Sequence, residues 1–119
     1  MIAYLIDPHA KTVEQVEYNG DYQEIYKLID ANTFDVARLE HGDGIFVDDD
    51  GLMSDNPMFF KHRDYQQPLV GKGLVLGCDY EGNSISPACT LEQLREKVSF
   101  GFLLRINNSA IWIEEKELV

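Results

Sequence analysis

Turn-forming residues cut this chain into short apolar runs, and that punctuation limits what it can fold into. Asp7-Pro8, Asn19-Gly20-Asp21, His41-Gly42-Asp43-Gly44, Asp49-Asp50-Gly51 and Asn107-Asn108-Ser109 all combine residues suited to turns. No apolar run between them approaches the roughly 18–20 residues of a membrane span. Short strands joined by tight turns are the expected unit. Ile2 to Ile6 and Thr12 to Tyr18 read as strands hairpinned through Asp7-Pro8. "FDVARLE" and "IFV" pair across "HGDG", and "GFLLRI" pairs with "AIWIEE" across Asn107 to Ser109.

Two helices interrupt the strands. Tyr22, Ile25, Tyr26 and Ile29 fall at i, i+3, i+4 and i+7, with Asp21 placed to cap them. Thr90 and Gln93 form a capping box ahead of Leu91, Leu94 and Val98, which share one helical face. Leu69 to Leu76 reads as one buried strand, its Gly71 and Gly73 marking a bulge or a close backbone approach. The stretch "FFKHRDYQQ", 59–67, reads as an irregular connection between Pro57 and Pro68. The expected fold class is α+β: a mostly antiparallel sheet of short strands and hairpins with two short amphipathic helices. At 119 residues one globular domain is expected over 1–119.

Charge narrows the function. The net charge is −11, and residues 1–50 carry −9 of it, twelve carboxylates against Lys11, Lys27 and Arg38. A nucleic-acid binder needs a basic stripe, so direct nucleic-acid binding is not expected. Acidic balance suits solubility and basic partner surfaces instead. The amino terminus has no basic residue ahead of its apolar run, which ends at Asp7-Pro8, so no signal peptide is read and a cytoplasmic location is expected. Cys78 and Cys89 lie eleven apart without a Cys-x-x-Cys unit and are read as reduced thiols.

Local motifs for chemistry fail when tested. A calcium loop with Gly51 at its sixth position would put Phe46 at the first and Pro57 at the twelfth, neither of which can ligate. A looser cation site from Asp48, Asp50 and Asp55 is outweighed by a hairpin-turn reading of Asp49-Asp50-Gly51. A phosphate loop at Gly71-Lys72 would need glycine at Gln66 and Ser or Thr at Gly73. His9, His41 and His62 are scattered and have no zinc-ligand spacing with the cysteines. No catalytic residue, metal or cofactor is therefore expected, although a Cys–His pair assembled only by folding stays open. Trp112 reads as core rather than interface.

From "YKLIDANTFDVARLE" through "IFVDDDGL" and "SDNP" to "LVGKGLVLG", the order of elements resembles a family of small uncharacterised domains encoded by bacteriophages, plasmids and bacteria. The positions carrying the resemblance are Asp50-Gly51, Asn56 and Val70-Gly71. It implies no activity and no site residue, only a setting in which small accessory proteins bind host factors. The expectation is a non-enzymatic acidic binding protein. It would dock on a basic surface of a partner protein through Asp43, Asp48, Asp49 and Asp50, nucleic-acid mimicry being the stronger form, with a homodimer left open. The alternative is a small-ligand or nucleotide-binding module using Lys61, Arg63 and Lys72.

Overall fold

The computed structural model describes residues 1–53 and 57–115. Strands β1 (Ile2–Asp7) and β2 (Thr12–Glu17) form the first hairpin. Helix α1 (Tyr22–Leu28) follows, and the Asp21 carboxylate accepts the Gln23 N–H at 3.0 Å as its cap. Strands β3 (Asp35–Arg38) and β4 (Gly44–Val47) form the second hairpin. After a single 3-10 turn come β5 (Phe59–His62), β6 (Leu69–Val70), β7 (Gly73–Cys78) and the short β8 (Ser84–Ile85). Helix α2 (Leu91–Lys97) has the expected capping box, and β9 (Val98–Ile106) with β10 (Ser109–Glu114) closes the described chain.

The α+β class holds, but the strands divide into two sheets rather than one. The first runs β2-β1-β7-β4-β3, with β8 on the end of β7, and the second runs β10-β9-β5-β6. Strand β7 lies between the two early hairpins, antiparallel to both β1 and β4. That position explains its composition: Gly73 to Gly77 are all buried, because both faces of a central strand are covered.

Alternation sorts the side chains into layers. Ala3, Phe46, Leu74 and Leu76 face α1, where Ile25 and Ile29 meet them. Tyr4, Ile6, Ile45, Val47 and Val75 face the other way, onto Phe60 of the second sheet and Leu94 of α2. The order is helix, sheet, then second sheet with α2. The apolar side of the second sheet continues beyond this core. Phe102 and Leu104 lie opposite Ile113 and Leu104's partner Ile111, and Phe102, Leu104, Ile106 and Ile111 are exposed.

Four expectations change. Leu69 to Leu76 is two strands in different sheets, because Gly71 takes φ +78° and turns the chain from one sheet to the other. Phe59–His62 is a strand, not a connection, paired with β6 and β9. Asp48 to Gly51 is a turn, its Asp48 carboxylate accepting the Asp50 N–H at 2.9 Å, yet it links two sheets and closes no hairpin. Val98 begins β9 instead of ending the helix.

Gly73 sits where the sheets meet. A Cβ there would lie 2.7 Å from Cζ of Phe60 and 2.9 Å from Cγ2 of Ile45, both buried. Gly73→Ala should therefore cost about 1–3 kcal/mol by overpacking, read as a lower urea midpoint with an unchanged slope.

Candidate functional site

The polar groups that the fold brings together lie along α2 and the loop before it. The β3–β4 turn supplies His41 and Asp43. Leu39 N–H bonds to Asp43 C=O at 2.9 Å, and Gly42 takes φ +106° to make the reversal. Asp43 shares strand parity with Ile45 and Val47, so its carboxylate points inward and is 1% exposed. There it accepts the Ala88 N–H at 2.9 Å, the Cys89 N–H at 3.3 Å and the His41 Nε2–H at 2.9 Å. Tyr4 holds the same loop from behind, its hydroxyl donating to Cys89 C=O at 3.0 Å.

These contacts set the protonation states. Burial alone would push the Asp43 carboxyl up, but the N–H donors of Ala88, His41 and Cys89 outweigh it and hold it below the usual range. Burial, followed by the neighbouring Asp43 charge, pushes the Cys89 thiol up to about 11. Cys89 is thus a protonated thiol at neutral pH and a poor nucleophile.

His62 alternates inward beside Phe60 on β5 and is also 1% exposed. Its Nδ1 accepts the Asp64 N–H at 3.0 Å, which leaves the proton on Nε2. Burial lowers its pKa, with Lys97, His41 and Lys61 adding to the effect against Asp64, so the ring is neutral at pH 7.

An open cavity of about 500 Å³ is lined by His41, His62, Cys89, Gln93 and Lys97 among others. Lys97 also borders a second groove, of about 330 Å³, lined by Lys61, Arg63, Ser99, Trp112 and Glu114. Lys61, on the strand that turns His62 inward, and Arg63, just past its end, both border it. Lys61 Nζ donates to Tyr65 C=O at 3.0 Å and Arg63 to Glu96 C=O at 3.1 Å. Among the described residues neither pairs with a carboxylate, whereas Lys97 pairs with Asp64 at 2.8 Å.

The expected residues therefore separate. Lys61 and Arg63 come together; Lys72 lies elsewhere, bonded to Asp30 beside Asp48 and Gly71. Asp49 and Asp50 are exposed and Asp48 is half-buried. Asp43 does not join them, because its carboxylate is buried and turned inward to internal donors, with no surface to offer a partner protein. Trp112 is half-buried in the groove wall rather than in the core. Asp55 and Asn56 lie outside the described residues. The sequence singles out neither Lys97 nor His62, and it leaves a Cys–His pair open without picking His41 and Cys89. Strand parity through "FFKHR" would have turned His62 inward, but nothing local joins residue 41 to residue 89.

The architecture defines a two-sheet α+β domain. Residues 1–99 match the family described as "Domain of unknown function (DUF3846)", and the chain belongs to that family. It is 30% identical over 94 residues to "Uncharacterized protein y4iR" of Sinorhizobium fredii (strain NBRC 101917 / NGR234), covering 76% of this chain. The match spans 58% of that relative's length. No solved structure matches the chain. No helix among the described residues is long and apolar enough to cross a membrane.

Asp43 has a measurable signature. Its stabilising contribution is full above the unfolded carboxyl pKa of about 4 and is lost as pH falls through its lower folded value. Asp43→Asn should cost about 2–4 kcal/mol at pH 7, and its stability gap to the wild type should narrow in acid, measured by urea unfolding across pH.

Proposed function

We propose that this protein is a small-ligand-binding module whose groove takes an anionic ligand with a planar ring, of the nucleotide class. The observation that supports it is the meeting of Lys61 and Arg63, cations without a carboxylate partner among the described residues, with the indole of Trp112. In a chain of net charge −11, two such cations meeting in one groove suit an anion. Arg63 supplies a planar fork and Lys61 a mobile ammonium for phosphate oxygens. Trp112 supplies a face for ring stacking. Binding fits better than catalysis, since burial and the Asp43 charge leave the Cys89 thiol a poor nucleophile.

Trp112 is the only tryptophan in the chain, so its fluorescence reports on the groove directly. Titration with a nucleoside triphosphate should change that emission saturably. Combined Lys61→Ala and Arg63→Ala should weaken binding by at least ~10-fold, while Lys72→Ala should leave it unchanged. No emission change, or equal binding by the double variant, would count against the reading. Inorganic triphosphate in parallel separates the phosphate contribution from that of the ring.

A second reading rests on a different observation. Residues 1–50, with their −9, fold as β1 to β4 and α1 of the first sheet, so the negative charge gathers in one half of the molecule. That half suits docking to a basic protein surface. Replacing Asp48, Asp49 and Asp50 with Asn should then weaken capture of a basic partner and flatten its salt dependence; capture insensitive to salt would sink this reading.

A further inference from the structure

His41 and Cys89 in the wall of the larger cavity, with the buried Asp43 beside them, make a donor set of another kind. One nitrogen of His41, one carboxylate oxygen of Asp43 and Sγ of Cys89 all lie within 4.8 Å of one another. We propose that these three side chains form a transition-metal site, best matched to Zn²⁺, with a fourth position open to the cavity lined by His62 and Gln93. This site is separate from the nucleotide reading and does not depend on it.

The chemistry of the donors selects the ion. A mixed nitrogen, oxygen and sulfur set suits a borderline ion such as Zn²⁺, whereas Ca²⁺ and Mg²⁺ require oxygen throughout. Three protein ligands with one position left open is the arrangement of an accessible zinc site rather than a sealed structural one.

The ligands are also held in place beforehand. Two come from the β3–β4 turn and one from the loop before α2, segments fastened to each other by the bonds from Ala88 and Cys89 N–H to Asp43. Tyr4 fixes the Cys89 carbonyl independently. Ala88 N–H bonds to Oδ1 of Asp43 and can keep doing so while Oδ2 turns to the metal, which orients the carboxylate.

His41 Nε2 and Asp43 Oδ2 are 2.9 Å apart, while ligands around tetrahedral zinc stand about 3.3–3.7 Å apart. The ring must therefore retreat by less than ~1 Å to admit the ion. His41 can do so, being exposed on a turn beside Gly42. Coordination releases the Cys89 thiol proton to solvent, and the His41 ring carries its remaining proton on Nδ1. His62 is not a ligand in this arrangement. Its Nδ1 is taken by the Asp64 N–H, so it presents an N–H donor to the cavity instead.

Co²⁺ titrated into the reduced full-length chain tests the site, because cobalt reports its own ligands. The expected result is one equivalent bound, with intense visible bands of a tetrahedral ion and a near-ultraviolet thiolate-to-cobalt band, all displaced by Zn²⁺. Cys89→Ser should abolish the thiolate band and Cys78→Ser should leave it intact. His41→Ala should weaken binding by at least ~10-fold. Absence of the thiolate band, or its survival in Cys89→Ser, overturns the site. If Cys89→Ser does not fold, His41→Ala decides, since its side chain is exposed, and unchanged affinity in that variant overturns the proposal equally.

Discussion

Three donors converge on the carboxylate of Asp43, and the arrangement along α2 depends on that convergence. Two backbone N–H groups and an imidazole meet one charge that is sealed from water. A buried carboxylate without such partners would be severely destabilising. With them it becomes a rivet between the β3–β4 turn and a segment some 45 residues further along the chain. The helix that follows is thereby aimed, and Lys97 at its end reaches the border shared by both concavities.

Charge on this molecule is sorted by position as well as by sequence. Among the described residues four of the lysines and arginines pair with carboxylates: Lys11 with Glu115, Lys72 with Asp30, Arg95 with Glu14 and Glu92, Lys97 with Asp64. Such exposed pairs add little stability each. Their effect on recognition is larger, because they remove those cations from competition. Lys61 and Arg63 are tied only to backbone carbonyls, which orient a cation without neutralising it.

Much of the fold could be read locally, and the limits of that reading are physical. The cap at Asp21, the capping box at Thr90 and the three hairpins follow from contacts within a few residues, so local pattern finds them. Sheet membership does not. Whether Leu69-Val70 joins Phe59-Phe60 or continues into Gly73 depends on partners far away in sequence, and one positive φ at Gly71 decides it. Gly51 shows the same limit. Its turn was legible, but a Cβ there would come within 3.0 Å of Val70, so close packing and not backbone freedom explains the glycine. The site was least legible of all. Lys61 and Arg63 were visible as cations, while His41, Asp43 and Cys89 become a cluster only through two sheets and a helix.

Strand β7 carries a consequence for how the molecule is made. Its neighbours β1 and β4 are complete within the first 47 residues, yet the strand that joins them spans residues 73–78. A chain emerging from the ribosome amino end first holds two hairpins with the edges that will flank β7 unfilled until that segment arrives. Those edges, at β1 and β4, are flanked by apolar side chains and offer unpaired backbone groups in the interval. The nascent protein thus passes through a period in which another strand could occupy the place kept for its own, and the time to translate residues 48–78 sets how long that period lasts.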